Sequence, residues 1–103
     1  MRLPTVAGGE SVDEAEAIRM IRRAVDGGVT YFDTAYMYHG GQSELIVGRA
    51  LRDGYRDRVR LVTKLPASKY AAAEACLDEQ LRKLQTDHLD VYLLHGLNIR
   101  SWA

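Results

Sequence analysis

Four side chains in this sequence are able to transfer or stabilise a proton, and their spacing is regular. Asp33, Lys64 and His95 stand at equal intervals of 31 positions, and Tyr38 follows Asp33 in the Gly-rich stretch GVTYFDTAYMYHGGQSE. A phenol is a poor proton donor near neutral pH. An ammonium group about 4 Å away stabilises the phenolate by about 4 kcal/mol at an effective dielectric constant of about 20. Lys64 beside Tyr38 would therefore turn the phenol into a usable acid.

The other two groups suit the same chemistry. A carboxylate at Asp33 would hold the Lys64 ammonium in place and keep it charged. The imidazole of His95 can hydrogen-bond a substrate oxygen or share its proton. Such a set protonates an oxygen on which negative charge develops, as in carbonyl reduction. No side chain donates hydride, so reduction also requires a nicotinamide or flavin cofactor.

Lys64 also permits a different chemistry, because a lysine at a strand end can form an imine with a carbonyl substrate in a Schiff-base lyase. An adjacent Asp33 argues against this alternative, since it would keep the amine protonated and non-nucleophilic. Each of the four residues taken singly also has an ordinary structural interpretation, such as a turn-capping aspartate or a polar strand end. Their joint spacing is what favours a site.

Three short apolar segments are predicted to be the strands that position these groups. VTYFD ends at Asp33, and VRLVTK ends at Lys64, with Pro66 expected to prevent its continuation. LDVYLLH ends at His95 and is almost continuously apolar, which is typical of a strand buried on both faces. Each predicted strand thus ends on one of the chemically capable residues.

Three helices are predicted before and between these strands. In SVDEAEAIRMIRRAVDGG, residues 11–28, Ser11 and Glu14 have the spacing of a capping box, and the glycine pair stops the helix. Apolar residues recur inside this segment at helical spacing. Two further helices are expected, one from residue 43 to near residue 54 and one over about residues 68–84.

The alternation of strands and helices with a 31-residue period predicts the fold class. A (β/α)₈ barrel of about 250 residues consists of eight units of about 31 residues. The sequence therefore predicts an α/β fold, a partial barrel of about three units with parallel strands. Strands joined by crossover helices run parallel, so Asp33, Lys64 and His95 would meet at one rim. A doubly wound sheet is less favoured, because no GxGxxG turn occurs.

Composition narrows the function classes. The 103 residues allow one domain at most, and 14 basic residues balance 14 acidic ones, which argues against a nucleic-acid partner or a polybasic membrane contact. No apolar run approaches the roughly 18 residues of a membrane span. The single cysteine, Cys76, cannot form an intrachain disulfide, which fits a cytoplasmic location. No HxH, HExxH or paired-cysteine spacing predicts a metal site.

Four other chemically capable residues have plainer interpretations. Cys76 lies among apolar helix residues and is expected to be a packed thiol. His88 lies in a loop and is expected to be solvated. His39 and Glu44 flank the glycine pair, where loop and helix-start roles are favoured over substrate contact.

The segments YFDTAYMYHGGQSE, GRAL, LVTKLP and LDEQLRKLQTDHLDVYLLHG together resemble the N-terminal half of the aldo-keto reductase family. The resemblance implies a (β/α)₈ barrel that reduces aldehydes and ketones with NADPH through an Asp, Tyr, Lys and His tetrad. By motif, Asp33 of DTA is matched to the aspartate, which also lies at the cofactor, and Tyr38 to the proton donor. Lys64 of TK is matched to the lysine and His95 of LLH to the histidine.

The resemblance also sets the limits of the chain. Family members extend beyond it, so residues 1–103 are expected to be the N-terminal part of a barrel, truncated at both ends and without most of the NADPH contacts. The isolated chain is expected to be inactive. It is either a truncated product or a half-barrel that associates with itself or another half through unpaired strand edges. The YHGGQSE and LQTDHLD forms are most similar to a bacterial branch, in which some members carry a C-terminal iron–sulfur domain.

Overall fold

The architecture is a parallel sheet with helices packed against one face. The computed structural model describes residues 2–6 and 11–96. In chain order the elements are α1 (Glu14–Asp26), β1 (Tyr31–Asp33), α2 (Ser43–Ala50), β2 (Arg60–Pro66), α3 (Ala73–Leu84) and β3 (Val91–His95). Short 3₁₀ turns at Tyr38–Gly41, Tyr55–Arg58 and Ala67–Ala72 precede α2, β2 and α3 respectively.

The three strands lie side by side in the order β1-β2-β3, and both pairs are parallel, which confirms that prediction. Asp33 is paired with Val62, two residues before Lys64, and Lys64 is paired with Leu93, two residues before His95. Because side chains alternate along a strand, these registers put Asp33, Lys64 and His95 on one face of the sheet. We call it the inner face, and its end at these three residues the rim.

The hydrophobic core lies on the opposite, outer face, between the sheet and the helices. Phe32 of β1 and Leu61 of β2 point into it, and Leu61 is fully buried. The buried residues that α1 and α2 contribute at helical spacing are Ala17, Ile21, Val25, Ile46, Val47 and Ala50. Fully burying one such aliphatic side chain contributes about 1.5–3 kcal/mol, so this layer fixes the strands that carry the rim residues.

Helix α1 begins at Glu14, and its cap is Asp13 rather than Ser11. The Asp13 carboxylate accepts a hydrogen bond from the backbone N–H of Glu16 at 3.2 Å. The predicted capping box was therefore wrong in its first residue. A second residue of capping type stood two positions later, and the helix starts from that one.

The other two helices are shorter than predicted. Helix α2 ends at Ala50, not near Gly54, because the chain turns through left-handed conformations at Asp53 (φ 61°) and Gly54 (φ 85°). The residues before Ala73 that were assigned to α3 form the 3₁₀ turn Ala67–Ala72 instead.

Strand β2 runs past Lys64 to Pro66, so the expectation that proline would end it earlier was wrong. The Val62 carbonyl accepts from Thr34 N on the β1 side, and the alternation of the strand turns residues 64 and 66 to that side too. Pairing with β1 ends at Asp33↔Val62. The missing N–H of Pro66 therefore costs no ladder hydrogen bond.

Strand β3 is not buried on both faces, which corrects a further prediction. Val91 is 37% exposed, Leu93 39% and Leu94 52%. In residues 2–6 and 11–96, β3 is an edge strand and no helix follows it to cover these side chains. A further strand or helix beside β3 would bury these apolar side chains, and residues 2–6 and 11–96 do not contain one.

Candidate active site

Lys64 is the centre of the rim. Its ammonium donates hydrogen bonds to Asp33 Oδ1 and, at 2.7 Å, to the backbone carbonyl of Thr34. The Lys64 side chain is 11% exposed, whereas that of Asp33 is 40% exposed. The parallel register of β1 and β2 produces this contact, since it pairs Asp33 with Val62, two residues before Lys64 on the same face of the sheet. The lysine is thus oriented and largely shielded from water.

Tyr38 lies against the same ammonium. Lys64 Nζ is 4.9 Å from the centroid of the Tyr38 ring, within the range of a cation–π contact. No hydrogen bond joins Lys64 to the Tyr38 hydroxyl in the described part of the chain, so the two residues meet through the ring face. The hydroxyl itself is not engaged by any described residue.

The loop that carries Tyr38 is shaped by left-handed backbone. His39 has φ 53°, and Gly40 and Gly41 have φ 64° and 90°. A tight turn of this kind favours glycine, because left-handed backbone brings a Cβ too close to the following carbonyl oxygen and glycine has no Cβ. The His39 Nε2 accepts a hydrogen bond from the backbone N–H of Leu3 at 2.9 Å. His39 therefore anchors the loop, as its interpretation as a loop residue predicts.

His95 completes the group from the end of β3. Its ring lies 5.9 Å from that of Tyr38, with the two planes at 86° in an edge-to-face arrangement. The Nδ1 atom of His95 is buried and has no hydrogen-bond partner among residues 2–6 and 11–96. Buried polar atoms are nearly always paired, so this nitrogen is a hydrogen-bonding position that the described protein does not use.

The structure thus brings all four sequence-predicted residues together on one rim. Asp33 contacts Lys64, Lys64 contacts Tyr38, and Tyr38 contacts His95. A phenol hydroxyl, an ammonium and an imidazole converge there with spare hydrogen-bonding capacity. Such a set can bind a carbonyl oxygen and deliver a proton to it.

Sequence reasoning missed a second polar group, which lies on the outer face behind this rim. Glu44 is fully buried, and its Oε2 accepts from Thr63 Oγ1 at 2.5 Å and from Gln80 Nε2 at 2.8 Å. Lys83 Nζ lies 2.7 Å from Glu44 Oε1, a charge contact rather than a well-directed hydrogen bond. The interpretation of Glu44 as only a helix-start residue was therefore incomplete. One signal was available: Gln80 occupies the inward stripe of α3 between Cys76 and Leu84.

Three titratable groups around the outer face are shifted by their surroundings. Burial raises the pKa of the Tyr92 phenol, whose hydroxyl donates to Gln80 Oε1 at 2.5 Å. Burial also raises the pKa of the Cys76 thiol, which is packed as predicted. The backbone N–H of Leu61 donates to Asp90 Oδ2 at 2.7 Å and lowers the pKa of that carboxyl, with help from Arg56.

The described residues contain neither a metal-binding cluster nor a membrane-spanning helix. Residues 2–6 and 11–96 contain no cluster of three or more His, Cys, Asp or Glu side chains arranged to hold a metal ion. No helix within the same ranges has the length and apolar character that crossing a membrane requires.

Comparison with known proteins gives the family. The model of the aldo/keto reductase family matches residues 1–99. The aldo-keto reductase YhdN of Bacillus subtilis is 40% identical over 102 residues, covering 88% of this chain and 30% of its own length. The methylglyoxal reductase YeaE of Escherichia coli is 40% identical over 91 residues, covering 85% of this chain and 31% of its own length.

Solved structures agree with this assignment. An aldo-keto reductase from Klebsiella pneumoniae in complex with NADPH superposes with a TM-score of 0.78 at 42% identity, over 82% of this chain and 30% of that one. The thermostable aldo-keto reductase Tm1743, in complex with epalrestat, superposes with a TM-score of 0.79 at 28% identity, over 95% of this chain and 35% of that one.

The α/β class defined by the sheet is a partial (β/α)₈ barrel, which confirms the predicted fold class. The chain belongs to the aldo/keto reductase family. It spans about a third of the length of the relatives and structures that it matches.

Proposed function

We propose that this chain is the part of a carbonyl reductase that carries its proton-donating site, and that the complete barrel reduces an aldehyde or ketone to an alcohol with NADPH. The convergence of Asp33, Lys64, Tyr38 and His95 on one rim is the observation that carries the proposal. Three different strands and one loop supply these residues. A structural role alone gives no reason for their meeting.

Each residue has a distinct role in this reaction. The Tyr38 hydroxyl, which no described residue engages, donates the proton to the carbonyl oxygen as negative charge develops there. The Lys64 ammonium faces the Tyr38 ring at 4.9 Å and stabilises the phenolate that remains. Asp33 and the Thr34 carbonyl hold that ammonium in place. His95 orients the substrate oxygen from the neighbouring strand.

The rim also fits a nicotinamide cofactor. Lys64 engages Asp33 through Oδ1 only, and the Asp33 side chain remains 40% exposed, so its other oxygen is available to a ribose hydroxyl. When bound, the nicotinamide would supply the hydride that no side chain can donate. The NADPH complex of the Klebsiella relative supports this choice of cofactor.

The substrate class follows from the relatives and from the site together. The methylglyoxal reductase among the relatives acts on a small carbonyl compound, as its name states. A small aldehyde is therefore the first substrate to test. The Lys64 nitrogen is engaged by both Asp33 and the Thr34 carbonyl, which disfavours the imine chemistry of a Schiff-base lyase.

The test uses a complete barrel. In this chimera, which we call the completed barrel, the chain replaces the matching segment of the B. subtilis relative, which is 40% identical over 102 residues. We expect NADPH oxidation in the presence of a small aldehyde. Replacing Tyr38→Phe should reduce kcat by about 10²–10⁴-fold, the range of general acid catalysis.

A matched control is available at the opposite end of the sheet. Tyr55 donates its hydroxyl to Asp26 at 3.1 Å and lies outside the rim. Tyr55→Phe should leave kcat unchanged. Unchanged turnover in Tyr38→Phe would reject the proton-donor role.

The 103-residue chain by itself has a second candidate role, as a half-barrel that assembles through its strand edges. Val91, Leu93 and Leu94 are exposed along β3, which favours pairing with a further strand. Size-exclusion chromatography combined with circular dichroism tests this. A compact dimer with cooperative unfolding supports assembly, whereas a broad, protease-sensitive species supports an inactive truncated product. The single cysteine and the balanced charge support a cytoplasmic location for either form.

A further inference from the structure

A buried polar group lies on the outer face of the sheet, directly behind the rim. We call it the Glu44 cluster, and its members are Glu44, Thr63, Gln80, Lys83 and Tyr92. We propose that Glu44 is a positioning residue for Lys64, and that it acts through Gln80. This inference rests on the proposed function, in which Lys64 serves the Tyr38 acid.

Gln80 links the Glu44 cluster to the backbone of Lys64. Gln80 Nε2 donates a hydrogen bond to the Lys64 carbonyl at 2.9 Å. This carbonyl points to the β1 side of β2, as the Val62 carbonyl does, but β1 has ended at Asp33. A buried carbonyl without a partner is costly, about 1–3 kcal/mol. Gln80 therefore replaces the strand that is missing at the catalytic position.

The orientation of Gln80 is fixed by its hydrogen bonds. Its amide has two N–H donors, and the second serves Glu44 Oε2 at 2.8 Å. Its oxygen accepts from the Tyr92 hydroxyl at 2.5 Å. The two contacts of Gln80 Nε2 are with hydrogen-bond acceptors, and the contact of its Oε1 is with a donor, the Tyr92 hydroxyl. Only one of the two orientations of the amide satisfies these three contacts. Gln80 is fully buried, so water does not compete for these positions.

Glu44 itself contacts both Thr63 and Lys83. Thr63 donates to the same Oε2, and Thr63 is the residue before Lys64. Lys83, which lies on α3, neutralises the charge of Glu44. Its Nζ also lies 4.1 Å from the centroid of the ring of Tyr36, a residue of the loop before Tyr38. Glu44 is therefore the shared acceptor that connects α2, α3 and β2.

The cluster also reaches the third strand of the rim. Tyr92, which holds the Gln80 oxygen, precedes His95 by three residues on β3. One buried network thus ties together the backbones of the strands that present Lys64 and His95. A shift of about 1 Å in a reacting group can cost about 10²-fold in rate, so the precision of this attachment has a kinetic consequence.

The test compares variants of the completed barrel. Gln80→Leu removes the hydrogen bond to the Lys64 carbonyl with little change in volume. We expect kcat to fall by about 10–100-fold while the Kd for NADPH stays unchanged. Glu44→Gln keeps an acceptor oxygen, so its loss of kcat should be smaller than that of Gln80→Leu.

A double-mutant cycle decides whether Glu44 acts through Gln80. If it does, the variant with both substitutions should lose no more activity than Gln80→Leu alone. Losses that simply add would show two independent roles and overturn the proposal. Val47→Ala is the matched control, since Val47 lies in α2, is fully buried and faces the hydrophobic core. It should lower the unfolding midpoint without changing kcat.

A second readout does not depend on catalysis. The rate at which acetic anhydride modifies Lys64, measured by mass spectrometry, reports how firmly its ammonium is held. We expect faster modification in Gln80→Leu and no change in Val47→Ala. An unchanged rate in Gln80→Leu would overturn the positioning role. If the rate rises as expected but the unsubstituted completed barrel reduces no aldehyde, the proposed function fails while the positioning of Lys64 stands.

Discussion

Two lysine–carboxylate pairs lie on opposite faces of β2, and they differ in what they leave free. At the rim, Lys64 pairs with Asp33, whose side chain is 40% exposed. Behind it, Lys83 pairs with Glu44, which is fully buried. Each pair consists of a lysine and a carboxylate of opposite charge. Their surroundings distinguish them.

The difference lies in how completely the polar atoms are used. In the Glu44 cluster, Gln80 makes hydrogen bonds with both its nitrogen and its oxygen, and Glu44 Oε2 accepts twice. At the rim, the Tyr38 hydroxyl and the buried Nδ1 of His95 have no partner within residues 2–6 and 11–96. Glu44 Oε1 also accepts no hydrogen bond from a described residue, but the Lys83 ammonium lies 2.7 Å from it and compensates its charge. Under the proposed function, a lysine–carboxylate pair therefore serves attachment on one face of the sheet and chemistry on the other.

Removing the positive charge of the rim pair should have the strongest effect. Lys64→Met in the completed barrel should reduce kcat/KM by about 10³-fold, because the Tyr38 phenolate loses its stabilising charge. The free energy of unfolding should fall by only about 1–3 kcal/mol, chiefly because the buried Thr34 carbonyl loses its hydrogen bond from the ammonium. Steady-state kinetics and thermal denaturation measure the two quantities. A large drop in stability would show that the rim pair is structural after all.

The next effect is on the buried side, where α2 and α3 cross. A Cβ added at Gly48 would lie 2.4 Å from the Lys83 carbonyl oxygen and 2.8 Å from the Leu84 backbone. Gly48→Ala must therefore separate the helices that carry Glu44 and Lys83, at a cost of about 3 kcal/mol. Urea denaturation of the completed barrel measures the cost. Gly27→Ala is the control, because its Cβ would approach only to 3.3 Å of a carbonyl at the exposed end of α1.

A weaker effect, which depends on pH, is expected at Asp90, at the opposite end of the sheet from the rim. The folded structure lowers the pKa of Asp90, chiefly through the hydrogen bond from Leu61 N. A lowered folded pKa stabilises the protein above the unfolded value of about 3.9, and this stability is lost as pH falls through the folded value. Asp90→Asn should therefore cost about 1–3 kcal/mol at pH 7 and less at pH 3. Urea denaturation at both pH values measures it. An equal cost at the two values would contradict the assignment.

The smallest expected effect concerns Cys76, which borders the Glu44 cluster through a contact of 3.6 Å between its Sγ and Gln80 Oε1. Burial raises the pKa of this thiol, so little thiolate forms at neutral pH. Iodoacetamide should label it slowly in the folded protein and rapidly in urea. Fast labelling in the folded state would show that the outer face opens near the cluster.

The sequence predicted the rim well and the layer behind it poorly, for a physical reason. The places of Asp33, Lys64 and His95 at or near the ends of three parallel strands follow from a regular βα period, which is visible in the order of residues. The contact between Glu44 and Gln80 joins residues 36 positions apart and depends on how two helices pack. No local pattern encodes such a distance. The inward position of Gln80 on α3 was its only trace.

The remaining errors show local rules competing with tertiary context. Asp13 took the cap that Ser11 also suited, because both residues satisfy the same rule. Pro66 stayed in β2 because its missing N–H faces a side where no strand pairs. The apolar run of β3 is typical of a strand that is buried in a complete barrel. In the described part of the chain, three of its apolar side chains are exposed.

Within residues 2–6 and 11–96, the two edge strands of the sheet are different, β1 on one side and β3 on the other. A copy of the chain that adds to β3 through its own β1 therefore makes a heterologous, head-to-tail interface. Three strands per copy give six strands from two copies or nine from three, whereas the family barrel closes with eight. Because circumference and strand tilt are linked in a barrel, identical copies have no ring of the native size to close. Self-association by this route would grow as an open filament or stop at a mismatched ring.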